Sequence, residues 1–276
     1  MSESGPWNPS SHERTGRTPV PARGESLRMP VAGLDPDGCL TLTITPGFMS
    51  LLKLALIGAA GVLILVTLLS DLGITFDDNM LLQQFDLKRE GNVAVWYSSA
   101  ILLLCGIAAM AIAIREAAGT RRWVPALWTL VALIFVFISA DESAQLHEKA
   151  ARIFTQRYGS VRGLTDGAAG DFAWLLLFLP MIVIFIASVA ILAWSHLRDH
   201  ARVRRLLLAG ALCWIGVLVA EFVQAQLSRR GLERSIQGAI EEGLEVVGAM
   251  LFLFAFLEYL RVDRQSPRAG SSSDAV

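Results

Sequence analysis

Six long stretches of this chain are apolar almost without interruption: Phe48 to Ser70, Val93 to Ile114, Trp123 to Ala140, Phe172 to Ser195, Leu206 to Ala225 and Ile240 to Leu260. Each is close to the roughly 20 residues a helix needs to cross the hydrocarbon layer of a bilayer. None alternates apolar and polar positions with a period of two, and an unpaired backbone group is intolerable in lipid, so the runs predict helices rather than barrel strands. The expected fold is all-α, a polytopic membrane helix bundle with about six transmembrane helices.

The flanks read differently. Seven of the ten prolines fall before residue 47, mixed with Gly, Ser and scattered charges, a composition that cannot build a core. The expected organisation is a disordered tail over 1–46, a six-helix transmembrane domain over 47–262 and a second disordered tail over 263–276. The first apolar run is long for a signal-peptide core and Leu68, Leu69 and Ser70 offer no A-x-A cleavage pattern, so it reads as a retained signal anchor. Met49, followed by SLLK and then the apolar stretch Leu54 to Leu69, is an alternative start.

Composition removes whole classes of function. Of 276 residues, 54% are hydrophobic and 18% charged, with a mean hydropathy of +0.51, and that excess excludes a soluble enzyme. A formal charge of -1, from 24 basic and 25 acidic side chains, gives no bulk attraction for nucleic acid, which leaves membrane lipids as the expected partners. The charges are segregated, however. With the N-terminus, the 115–122 and 196–205 loops and the C-terminus on one side, fifteen basic residues lie there and nine opposite. The positive-inside rule then places both termini in the cytoplasm of a bacterial inner membrane. Trp96 and Trp174 mark outer helix ends and Trp123, Trp194 and Tyr259 inner ones, as an interfacial belt requires. Cys39, Cys105 and Cys213 show no CxxC spacing, which argues against a disulfide framework and a thiolate metal site.

Fifteen of the 25 acids fall on the outer side, and a few sit within the apolar runs. In GAIEEGLEVVGAM, Glu241, Glu242 and Glu245 share one sector of about 100°, with Gly238 and Gly248 on nearly the same face. An ionised carboxylate facing lipid is costly, so the stripe should face the bundle interior, where the glycines admit another helix. The competing reading is a solvated first turn, where acids suit a helix N-terminus. The third run ends FISADESAQLHEKAARIF. If its helix continues, Asp141, Gln145 and Glu148 line one face, Glu142 points to one flank, and His147 turns about 120° from Asp141 to join Ser143. The plainer alternative is a polar cap followed by an amphipathic extension on the membrane surface. Glu221 and Gln224 close the fifth run, Asp171 opens the fourth, and Glu90 aligns with Tyr97 at the start of the second. A faint likeness between the second–third and fourth–fifth hairpins is what chance would also give.

The acids and histidines limit the chemistry. Two Glu-x-x-His units would mark a di-iron bundle and none occurs. A zinc hydrolase wants about three protein ligands rich in histidine, and of the four histidines only His147 lies on the outer side. His12 is in the tail, while His196 and His200 sit among Arg198, Arg202, Arg204 and Arg205 and read as a solvated basic loop. GxSxG, P-loop and GxGxxG motifs are absent. What remains is an oxygen-rich site suited to Mg, Mn or Ca rather than Zn or Fe. Asp141, Glu148, Glu221, Glu241 and Glu242 are its expected metal ligands, and Glu142, His147 and Glu245 its expected catalytic groups. Such a site would activate water or polarise a head group on a lipid or isoprenoid-linked substrate. The alternatives are a proton- or cation-coupled carrier, for which the inner halves of the runs look too apolar, and a non-catalytic scaffold or sensor subunit.

Overall fold

A computed structural model describes residues 31–34, 40–43, 45–72, 74, 80–89, 91–147, 149, 150, 152, 153, 173–228 and 237–262. Two short strands, β1 (Val31–Leu34) and β2 (Leu40–Thr43), pair antiparallel with Val31 opposite Thr43. They lie inside the stretch whose composition predicts disorder. Locally, VAGL and LTLT carry Val, Leu and Thr, residues that suit a pleated pair even where the surrounding tail is rich in proline. These strands belong to a unit of their own, Met1–Leu52, and the helical bundle to a second, Lys53–Val276.

The helices follow the hydropathy runs closely. They are α1 (Pro46–Asp71), the short α2 (Met80–Gln83), α3 (Val93–Glu116), α4 (Trp123–Ala144), α5 (Ala173–Ile191), α6 (Ala201–Ser228) and α7 (Gln237–Val262). Six are long and apolar enough to cross a membrane, and the protein is a multi-pass integral membrane protein. Most extend past the apolar runs by a turn or less, because polar residues at the ends continue the hydrogen-bond ladder into the interfacial layer. Asn92 caps α3, its side chain accepting the Val95 N–H at 2.9 Å. Pro180 is accommodated inside α5, as spanning helices allow.

α5 ends in a π-helical turn, Leu192–His196, before α6 begins. Helix α3 pairs chiefly with α4, and α6 with α7, while α7 also packs on α3. In lipid, apolar surface gains little by leaving the solvent, so close packing must hold the bundle. Gly248 shows how close: a Cβ there would lie 2.5 Å from Trp214 Cδ1. Phe135 is fully buried at the centre, edge-to-face with Phe185, Phe252 and Phe256 at ring separations of 5.5, 5.3 and 5.7 Å. Outward-facing Leu54, Ile57, Leu212 and Val219 stay exposed for lipid to cover.

The bundle has two chemically different ends. The turn from α3 to α4, the start of α6 and the end of α7 share one, which carries Arg115, Arg121, Arg122, Arg202 and Arg261. The end of α4, the end of α6 and the start of α7 share the other, which carries the carboxylates.

Candidate functional site

At the acidic end, α4 does not continue through the DESAQLHE segment. It stops at Ala144, and Gln145 adopts a left-handed conformation (φ 52°, ψ 44°) while donating its N–H to the Asp141 carbonyl. On an uninterrupted helix, residues six apart point about 120° away from each other and cannot touch. The break changes this. It folds His147 back so that its N–H donates to Asp141 Oδ1 and its ring Nδ1 meets Asp141 Oδ2, both at 2.7 Å. Both oxygens of Asp141 therefore hold one histidine, Oδ1 through its backbone N–H and Oδ2 through its ring, and Asp141 orients His147, the role a carboxylate plays behind a ligating histidine. Ser143 does not join His147, as a continuous helix would require; its hydroxyl donates to Ser99 Oγ at 2.8 Å, and Ser99 donates to the Ser139 carbonyl at the same distance.

The glutamates gather around this pair. Glu142 is in electrostatic contact with Glu245, Asp141 and His147; Glu221 on α6 with Glu241, Glu245 and His147; and Glu242 with Glu245, Glu142, Glu241 and Asp86. Three helices thus bring five glutamates to one place, all partly buried. Glu221 Oε2 is enclosed and has no hydrogen-bond partner among the described residues. The expected close approach beside the stripe is present too. Trp214 of α6 lies against Gly248 and donates its indole N–H to the Glu245 carbonyl at 3.2 Å, and Gly238 leaves room for Lys88.

Of the residues expected to form the site, Asp141, Glu142, His147, Glu221, Glu241, Glu242 and Glu245 are brought together. Glu148 lies outside the described residues, as do Glu90 and Asp171, and the side chain of Gln224 is not described. Tyr97 points elsewhere, donating its hydroxyl to the Leu56 carbonyl at 2.6 Å and tying α3 to α1. Among the described residues, no group of three His, Cys, Asp or Glu side chains converges closely enough to hold a metal ion. The carboxylates form a cluster rather than a finished coordination shell.

One supporting residue was not singled out by pattern. Asp71, at the end of α1, accepts the Ala239 N–H at 2.9 Å and forms an ion pair with Lys88. It satisfies an otherwise orphaned donor in the first turn of α7 and so anchors the helix that carries three of the glutamates. Its sequence signal is an acid at the end of an apolar run, which does not distinguish it from its neighbours.

The opposite end also departs from expectation. His196 is largely withdrawn from solvent, with a side-chain exposure of 14%, and its Nε2 lies 2.7 Å from Tyr259 Oη, which donates to Glu116 Oε1 at 2.9 Å. His196 is therefore not part of a solvated loop. The π-helical turn inserts an extra residue before the α5–α6 connection and turns the imidazole inward. Glu258, which no pattern marked, is buried there among Lys53, Arg202 and Arg261.

A family model described as a domain of unknown function, DUF8692, matches residues 54–260. The chain belongs to that family. The matched region contains all six spans apart from the first residues of α1 and the last of α7, and every member of the acidic cluster. No curated protein and no solved structure matches this chain. The match assigns no reaction to the fold or to the cluster.

Proposed function

We propose that the acidic end of the bundle is a cation site, facing outward across the inner membrane, that takes a divalent metal of the Mg, Mn or Ca type and acts on the head group of a lipid or isoprenoid-linked substrate. The observation that carries this reading is Glu221 Oε2, an enclosed carboxylate oxygen beside Glu241 and Glu245 with no hydrogen-bond partner among the described residues. An enclosed acceptor left unmet is costly, and carboxylates crowded at the edge of a low-dielectric region call for a proton or a cation between them. Oxygen donors from three helices suit a hard cation. In this reading Glu221, Glu241 and Glu242 are ligands, as is Glu148, and their side chains close around the cation only when it binds. His147, held by Asp141, and Glu142 and Glu245 serve proton transfer to and from water or the head group.

A carrier would use the same acids but needs a polar route onward. From Glu245, α7 runs about 20 Å to Glu258, and Phe252 and Phe256, both fully buried against Phe135, fill the interval. That block supports a site open to one side over a pathway.

Elemental analysis of the detergent-purified full chain tests the proposal, comparing wild type with a Glu241→Gln, Glu245→Gln double variant. Stoichiometric Mg, Mn or Ca, lost in the variant, is the expected result. Absence of bound metal from wild type purified and dialysed with each of the three would overturn it and shift the weight to proton-linked transport or partner binding.

A further inference from the structure

At the basic end, the turn between α3 and α4 and the π-helical end of α5 border an open cleft of about 270 Å³ lined by Glu116, Gly119, Thr120, Arg121, Val124 and His196. Its charge can be followed group by group. Glu116 is met from within the protein: Arg115 Nη2 lies 3.6 Å from Oε1, and Tyr259 donates to the same oxygen. Arg115 is itself fixed, its guanidinium 4.5 Å from the Tyr259 ring centroid and its Nη1 donating to the Leu260 carbonyl at 3.4 Å. Because the Tyr259 hydroxyl hydrogen goes to Glu116, His196 Nε2 must be the donor in its contact with Tyr259. The imidazole is thereby locked in orientation at the cavity wall. Arg121, by contrast, has no carboxylate partner among the described residues. The wall thus presents an unmatched guanidinium and the Thr120 hydroxyl, beside a carboxylate whose charge is already answered.

A guanidinium with a neighbouring hydroxyl is the pairing that recognises a phosphate group. The size agrees, being below the roughly 300–1,000 Å³ of pockets that enclose whole drug-sized ligands, so the cavity takes a head group and not a lipid body. Its position agrees as well, one residue from Trp123 at the point where α4 enters its apolar run. We propose that this cavity binds a phosphate group, with Arg121 as its cation, Thr120 as a hydroxyl donor and the Glu116–Tyr259–His196 chain as its rigid wall. The site is independent of the acidic cluster at the other end.

The phosphate can come from a membrane phosphodiester or from solution, and one experiment separates the two. Delipidated full chain in detergent is titrated with phosphatidylglycerol, read by native mass spectrometry, with and without excess inorganic phosphate. Wild type is expected to bind one lipid in preference to others, and Arg121→Gln to weaken that binding about tenfold, the loss of one charge-assisted hydrogen bond. Arg122→Gln, one residue on and not part of the cavity wall, should change it less than about twofold. Arg121 is exposed, so its variant should melt at the wild-type temperature. Displacement of the lipid by inorganic phosphate would support the cavity with a soluble source; lipid binding indifferent to phosphate would support it with a membrane source. Equal losses in the Arg121 and Arg122 variants would reduce the effect to diffuse surface charge and overturn the proposal, as would failure of both probes to bind wild type.

Discussion

Helix α7 carries glutamates at both ends, and the two ends treat them in opposite ways. Glu258 is buried with Arg261 at 2.9 Å, Arg202 at 3.5 Å and Lys53 at 3.7 Å around one carboxylate. Glu245, about 20 Å away along the same helix, faces Glu142, Glu221, Glu241 and Glu242, with His147 as the neighbouring group able to carry positive charge. One arrangement is complete within the chain. The other leaves a charge imbalance that a proton or a bound cation must answer. The difference teaches that a buried acid in a membrane bundle is not by itself a sign of chemistry: Glu258 is only 2% exposed, and its surroundings account for it as a fastening.

The comparison breaks most visibly at Glu258. Glu258→Gln leaves three cations around a neutral amide, and truncating one partner of a buried ion network is strongly destabilising. The expected loss is about 3 kcal/mol, read as a lower midpoint in thermal or denaturant unfolding of the detergent-solubilised protein. A variant as stable as wild type would show that Lys53, Arg202 and Arg261 find water or lipid phosphate instead, and the fastening role would be withdrawn.

The next effect separates packing from charge. Gly248 and Gly210 hold α6 and α7 together, and a Cβ on Gly248 would press into the Trp214 indole, 2.5 Å from Cδ1 and 2.8 Å from Nε1. Gly248→Ala should cost about 2 kcal/mol, the range of overpacked cores, and should also disturb the acidic cluster, since Trp214 donates to the Glu245 carbonyl. Gly58→Ala and Gly61→Ala on α1, where a Cβ meets nothing within 4 Å among the described residues, provide the control and should leave the midpoint unchanged or slightly raised. Equal losses at all three positions would point to a general intolerance of the bundle instead of a specific approach of α6 to α7.

How much of this was legible beforehand follows from the physics of each feature. The spans were legible because hydrocarbon thickness and backbone satisfaction leave few solutions, and Val93 and Trp123 begin their helices where the apolar runs begin. The stripe of Glu241, Glu242 and Glu245 was legible because helical periodicity alone puts those positions on one face. The Asp141–His147 pair was not, since it depends on Gln145 taking a left-handed conformation, which a non-glycine residue adopts only where its surroundings favour it. His196 was misread for a related reason: the π-helical turn shifts the register of α5, and neither composition nor a period of 3.6 announces it. The pair of strands in the N-terminal stretch was hidden by averaging, because eight residues of strand are outweighed by the prolines around them.

A smaller effect, opposite in sign to that of Glu258, is expected at the acidic end. Glu245→Gln removes one ionisable group from a crowd of carboxylates, so at a pH high enough to ionise the cluster, and without added divalent cation, stability should rise by about 1 kcal/mol, read as a higher unfolding midpoint. With Mg, Mn or Ca present, the order should reverse, because wild type gains stability from a ligand the variant binds less well. A matched set of melts, plus and minus cation, gives both signs in one measurement. If Glu245→Gln destabilised the protein as Glu258→Gln does, with or without cation, the two ends would be chemically alike and the cation reading would lose its main support.

The smallest expected effect sharpens the basic end itself. Arg202 contributes to the Glu258 network at 3.5 Å, yet 70% of its side chain is exposed, whereas the Lys53 and Arg261 side chains are 21% and 25% exposed. An exposed partner shares its charge with water and salt, so its pairing is worth less than about 1 kcal/mol. Arg202→Gln should therefore move the unfolding midpoint little, and that small shift should shrink further at high ionic strength as screening removes what remains. Arg261→Gln, which removes the 2.9 Å hydrogen bond from a more enclosed position, should cost more and respond less to salt. Should the two variants prove equal in cost and in salt response, Glu258 would be held by the summed positive field of that end. Its enclosed partners would then have no special part, and the contrast along α7 would rest on net charge alone.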